Sequence, residues 1–220
     1  MDGLEGFWGQ TDTVGRAVAL VMLAMSVASW TLILWKVWVL RRVAQDLPLA
    51  LAAFWAAPDW DAGRQRLEAI DREGIVAPLL DAANASELEG SLGARTPKAA
   101  QLTRRLREAL QASVTQLRVG QVVLASVGST APFIGLFGTV WGIYHALVEM
   151  AVSGTMAIDK VSGPVGEALV MTAAGLAVAI PAVLAYNLLG KRIAAAQAGL
   201  EGYAHDLLMA LDVDPSARSR

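Results

Sequence analysis

Two apolar stretches, Leu124–Met150 and Ala168–Leu189, constrain this chain more than anything else in it. Spanning the hydrocarbon core of a bilayer takes about 20 apolar residues, and both stretches reach that length. Neither is built like a helix that only faces lipid. Gly, Ala, Ser and Thr stand where such a helix would carry Leu or Ile. That is the composition of helices that pack tightly on neighbours, or that line something polar inside a membrane. The chain reads as an integral membrane protein whose work is done between helices.

Composition agrees. The chain is 55% hydrophobic and 17% charged, whereas a soluble domain carries about 25% charged residues. A net charge of −2 gives no footprint for nucleic acid. With no Cys, disulfides, thiolate metal sites and a Cys nucleophile are excluded. His145 and His205 supply little for metal binding. No P-loop, G-x-S-x-G or G-x-G-x-x-G pattern occurs, so neither an enzyme, a metal nor an organic cofactor is expected.

A third apolar window, Val14–Trp35, is flanked by Arg16 and Lys36, whose long stems can snorkel. The N-terminus does not read as a cleavable signal, because residues 1–13 hold Asp2, Glu5 and Asp12 but no Lys or Arg. Three spans follow, at 14–40, 122–150 and 166–190. Lys and Arg crowd residues 41–121 and 191–220, while the loop 151–165 has only Lys160. The positive-inside rule then places the middle segment and the tail in the cytoplasm. It places residues 1–13 and 151–165 outside, and Trp30, Trp35 and Trp38 form an aromatic belt at the inner end of the first span.

The cytoplasmic segment reads as mostly helical, without a rich core of its own. Leu47–Ala57 is Ala/Leu-rich and ends at Pro58; a helical pattern resumes at Gly63–Ile70, and Gly74 and Pro78 interrupt it. Asn84–Ala94 reads as a loop. Thr96 with Pro97 offers a helix start. From there Leu102, Leu106, Leu110, Val114 and Leu117 recur at helical spacing, and no Pro intervenes before Pro132. One helix is expected from Pro97 to Met150. The third span is expected to continue through Ile193, Leu200, Leu207 and Leu208 to Asp214-Pro215. The alternative for both extensions is an amphipathic tail on the membrane surface.

Several positions carry possible chemistry. Gly138 and Gly142 form a G-x-x-x-G pair, with Gly135 seven residues before Gly142. Such spacing lets helix backbones approach. Pro132 frees a carbonyl that Ser129 or a neighbour could satisfy. Thr139 sits near the middle of its span and Thr172 lies in a run of small residues. A membrane Thr commonly bonds back to its own helix, and lining a pore is the other reading. Glu167 is costly in a membrane and so a functional candidate. Were Gly163 and Pro164 to start its helix, the helix dipole would also accommodate it. Glu167 and Thr172, about 140° apart around a helix, need not face the same way. His145 and Glu149 can pair at i,i+4, and Asp159 and Lys160 read as a solvated loop. Apart from Glu167, and Glu149 at the outer end of the second span, the spans contain no Asp or Glu. If the protein conducts protons, a partner brings the key carboxylate.

Three motifs carry a resemblance. Gly128-Ser-Thr-Ala-Pro-Phe-Ile-Gly-Leu-Phe-Gly-Thr-Val-Trp-Gly-Ile143 is one, Gly163-Pro-Val-Gly-Glu-Ala-Leu169 the second, and Gly175-Leu-Ala-Val-Ala-Ile-Pro-Ala-Val-Leu-Ala-Tyr-Asn187 the third. Together they resemble the ExbB/TolQ/MotA proton-channel family. Residues 158–167 look more like the ExbB branch than TolQ, and MotA proteins differ in having four spans. The resemblance implies an all-α, multi-pass inner-membrane protein. It implies a homopentameric ring whose pore, within membrane lipid, holds the single helices of two ExbD-like subunits, each with an Asp. Protons are the coupling ion, and the work passes to a TonB-like protein for uptake of iron–siderophores and vitamin B12. TolQ-like service in the Tol-Pal system, or a non-conducting membrane scaffold, are the alternatives. By position, Thr139 and Thr172 match the family's pore-lining hydroxyls and Glu167 its acid near the start of the third span. Pro181 matches the Pro of its Ala-Ile-Pro-Ala motif; with Gly135, Gly138, Gly142 and Gly175 it is expected to serve helix packing. Met171 and Ala174 depart from the Ala and Ile common there, which alters packing rather than the hydroxyl.

Overall fold

The computed structural model describes residues 12–85, 97–153 and 158–213. The acidic stretch before Asp12, most of the Asn84–Ala94 loop, the Thr96 cap and the stop at Asp214-Pro215 lie outside those residues. Among the described residues every regular element is an α-helix. They are α1 (Thr13–Trp55), α2 (Trp60–Ile70), α3 (Ala77–Asn84), α4 (Lys98–Arg118), α5 (Gln121–Ser153) and α6 (Ile158–Val213). Helices α1, α5 and α6 are long and apolar enough to cross a membrane, with mean hydropathy of 2.2, 1.6 and 2.2 in their most apolar windows. The protein is an all-α, multi-pass membrane protein.

Contacts divide the chain into two compact units, Met1–Trp35 with Gly120–Asn187, and Lys36–Val119 with Leu188–Arg220. The first unit packs the three apolar segments through small residues. Gly135 and Gly175 meet backbone to backbone. A Cβ on Gly135 would come within 2.6 Å of the Met171 carbonyl, and one on Gly175 within 2.7 Å of the Ala131 carbonyl. Gly142 faces Ala168, and Gly128 faces Val183. Val18 and Met22 of α1 close the packing against Met171. Large side chains such as Leu23, Phe133, Val140 and Leu184 stay exposed on the outside of these helices, as a lipid or subunit environment allows.

The expected single helix from Pro97 to Met150 is broken at Val119–Gly120. The Val119 amide bonds to Gln116, three residues back, and Gly120 takes φ +84°, a conformation glycine adopts without steric cost. A lone Gly in a helical pattern signals this only weakly. Two helix starts also differ. Pro97 itself is the N-cap of α4 and has no side chain to cap with. Helix α6 begins at Ile158, so Gly163 and Pro164 lie inside it. Glu167 is therefore beyond the first turn, and the helix-dipole account of it is removed. Pro78 starts α3 rather than interrupting a helix.

The second unit has a core, contrary to expectation. Leu67, Ile75, Leu79, Leu80, Leu117, Leu200, Tyr203 and Leu207 are all fully buried. The reading from the middle segment alone missed it because the C-terminal part of α6 supplies a large share of the side chains. That also excludes the surface-tail alternative for this extension. Polar bonds fix the turns. Asp71 accepts from the amides of Ile75, Val76 and Ala77 at 3.0, 2.7 and 3.0 Å. Arg72 grips buried Asp46 through two bonds of 2.9 and 2.8 Å.

Candidate functional site

The close approach of α5 and α6 brings two hydroxyls together. Gly135 and Gly175 let the backbones meet, and Thr139, one turn beyond Gly135, then faces α6. Its Oγ1 lies 2.5 Å from Thr172 Oγ1, 2.9 Å from the Ala168 carbonyl and 3.1 Å from the Gly135 carbonyl. Thr139 is 7% exposed, and Thr172 is half-buried. The bond to its own helix thus exists, but it is one of three, and two cross to α6. Thr139 has one proton to give, and carbonyls only accept. When Thr139 donates to a carbonyl, Thr172 donates to Thr139 and shows outward only lone pairs. When Thr139 donates to Thr172, the Thr172 proton is free. The pair can present an acceptor or a donor by rotating two hydroxyls.

Glu167 precedes Ala168, the residue whose carbonyl holds Thr139. It lines a cavity of ≈ 80 Å³ with Asp12, Trp141, His145 and Glu149. His145 Nε2 lies 3.9 Å from Glu149 Oε1, so the expected i,i+4 pair forms. Trp141 stacks beside His145, with ring centroids 6.4 Å apart. Asp12 is held twice. Its Oδ1 accepts from the Gly15 amide at 2.8 Å and its Oδ2 from Trp141 Nε1 at 2.6 Å. Burial pushes the Asp12 carboxyl up. Bonds from Trp141 and from the Gly15 and Val14 amides, with the charge of His145, outweigh it and hold the carboxyl below its ordinary range.

Gly138 packs against Val18 and Met171. Pro181 is a half-buried residue within α6, nine positions beyond Thr172 and so about 13.5 Å along the helix, away from the hydroxyl pair. Ser129 does not satisfy the carbonyl freed by Pro132. Its hydroxyl bonds to Ser126 instead, as does that of Thr130. Sequence reasoning missed the Ala168 carbonyl, which has no side-chain signature, and the Asp12–Trp141 bond. An Asp just ahead of a helix is a capping signal, but nothing pointed to Trp141 as its second partner.

A profile of the MotA/TolQ/ExbB proton channel family matches residues 72–201. The chain belongs to that family. Among its relatives, the "Biopolymer transport protein ExbB" of Xanthomonas campestris pv. campestris (strain B100) is 42% identical over 202 residues, 88% of this chain and 80% of that protein. That of Neisseria meningitidis serogroup A is 39% identical over 209 residues, 89% of this chain and 91% of its own. The "Tol-Pal system protein TolQ" of Pseudomonas aeruginosa is more distant, 32% identical over 197 residues, covering 82% of this chain and 81% of that protein. The chain is thus an ExbB-like member of the proton-channel family. The hydroxyl pair and the cavity beside it both fall inside the matched region or against it.

Proposed function

We propose that the chain is the ring-forming subunit of a proton-motive-force-driven motor in the bacterial inner membrane. Five copies would surround the single helices of an ExbD-like partner, and the work would pass to a TonB-like protein for outer-membrane uptake of iron–siderophores and similar ligands. The Lys/Arg distribution supports placing residues 151–165 in the periplasm and both large polar segments in the cytoplasm. The observation that carries the reading is the Thr139–Thr172 pair. It is polar, reachable and switchable, yet it cannot itself bind a proton for transport. A carboxyl from the partner can.

The pair suits both states of such a carboxyl. An ionised carboxylate accepts the free proton of Thr172. A neutral carboxylic acid donates to the Thr172 lone pairs while Thr172 donates to Thr139. Protonation therefore changes the contact without breaking it, as a passing carboxyl requires. Glu167 is the chain's own acid near this path.

Native mass spectrometry of the chain co-expressed with its ExbD-like neighbour tests the assembly. Five copies retaining two of the partner would support the reading, while a monomer that binds no partner would contradict it. The Tol-Pal reading keeps the same pore and differs in the partner served. The higher identity to the ExbB proteins favours the first.

A further inference from the structure

Five polar groups, drawn from the loop-side ends of all three apolar helices, converge on the cavity beside the hydroxyl pair. Asp12 precedes α1; Trp141, His145 and Glu149 lie on α5; Glu167 lies on α6. The rest of the wall includes Gly138, Gly142 and Ala168. Those residues adjoin the hydroxyl pair, since Gly138 precedes Thr139 and Ala168 gives it a carbonyl acceptor. Exposure falls along the way. The Glu149 side chain is 71% exposed and that of His145 47%, Glu167 is half-buried, and Thr139 is 7% exposed. A cavity needs about 10–15 Å³ on this measure for each water, so ≈ 80 Å³ accommodates a small cluster of them.

We propose that this cavity is a proton-intake vestibule, in which Glu149 and His145 collect protons from outside and pass them through cavity water to Glu167, the neighbour of Ala168 on α6. The inference rests on the pore reading above, and it assigns roles to residues that reading leaves idle. Each step is a proton transfer with no other bond changed. A hydronium ion gives its proton to the Glu149 carboxylate or to His145 Nε2. The proton leaves through water to the Glu167 carboxylate, and the first group regains its starting charge. An imidazole beside a carboxylate is suited to this because each can take up a proton and hand it on. Asp12 does not relay. Both its oxygens are engaged, so it stands as a fixed negative charge at the mouth. The charged groups facing the cavity are Asp12 from α1, His145 and Glu149 from α5, and Glu167 from α6. Three carboxylates against one imidazole favour positive charge there, and a cleft lined by one sign raises local ion concentration and on-rate by about 10- to 1,000-fold.

The test uses the whole complex in liposomes, with proton flux driven inward from the loop side in weakly buffered, mildly alkaline medium, where proton supply limits the rate. The double variant His145→Gln, Glu149→Gln is expected to lose about tenfold in flux, the low end of that gain. Imidazole added as a mobile buffer on the loop side is expected to restore it, because it replaces the lost collectors. Thr172→Val is expected to lose flux with or without imidazole. Unchanged flux in the double variant would overturn the vestibule and leave the pore standing. So would a loss that imidazole does not restore while native mass spectrometry shows an intact complex, since that marks a structural role. A wild-type complex that moves no protons would sink the proposed function, and this inference with it.

Discussion

Thr139 Oγ1 and Thr172 Oγ1 sit 2.5 Å apart on two different helices, with the Ala168 carbonyl 2.9 Å from the first. One hydroxyl is anchored by backbone and the other hangs from it. Their roles in stability should therefore be unequal. Thr139→Val removes three contacts at a buried position and leaves the Thr172 hydroxyl short of a partner, at about 1–3 kcal/mol. Thr172→Val removes one contact at a half-buried position and should cost about 1 kcal/mol or less. Thermal unfolding of the two variants in the same detergent checks the order. Equal losses would mean that Thr139 is not the anchor.

The glycines divide by what faces them. Ala at Gly135 or Gly175 would drive a methyl against a carbonyl oxygen of the opposite helix, and overpacking of this kind costs about 1–3 kcal/mol. Gly166 and Gly190 have nothing within 4 Å of an added Cβ. Gly166→Ala and Gly190→Ala should leave the chain's folding stability unchanged or slightly raised, since Ala is the better helix former by about 1 kcal/mol. Melting temperatures of the four variants separate the two classes.

The Asp12 carboxylate is held below its ordinary value of 3.8. A group depressed on folding stabilises the fold above its unfolded pKa and loses that contribution as pH falls through the folded one. The difference in melting temperature between wild type and Asp12→Asn should hold steady from neutral pH down to about 4.5 and shrink below about 4. A difference that vanished already near pH 6 would show that Asp12 is not kept ionised by Trp141 and the amides at the start of α1.

In the second unit, the Tyr203 hydroxyl is buried with no partner among the described residues, and burial pushes its phenol well up. Its ring meets Phe54 edge-on, with centroids 5.7 Å apart. Tyr203→Phe keeps the ring and removes the unpaired group, so stability should hold or rise, by up to about 1–3 kcal/mol. Asp71→Ala leaves three amides without their acceptor and should cost about 2 kcal/mol or more. Denaturant unfolding of both variants reads the opposite signs.

Much of this was legible from the residues. Three spans follow from window hydropathy, because a bilayer imposes length and composition directly. Thr139, Thr172 and the glycines stand out because small and hydroxylated side chains are unusual in lipid-facing helices. What stayed hidden has a common cause. The Gly120 break, the start of α6 at Ile158 and the core around Leu67 and Tyr203 depend on residues distant in sequence or on a single backbone angle. The Ala168 carbonyl and the Trp141 bond to Asp12 depend on helix rotation, which periodicity does not report. Glu167 is an example. Its helix starts at Ile158, six residues ahead of the expected start at Pro164, so the end-of-helix explanation falls and its place beside the cavity remains.

The central claim is that the Thr139–Thr172 pair handles a partner's carboxyl in both protonation states. The most direct measurement is proton flux through the reconstituted complex carrying Thr139→Val, with Thr139→Ser beside it and assembly confirmed by native mass spectrometry. The valine variant should assemble and lose flux by about 100-fold, within the range for removal of a positioned proton-handling group, while the serine variant keeps most of it. A valine variant that assembles and conducts like wild type would contradict the claim.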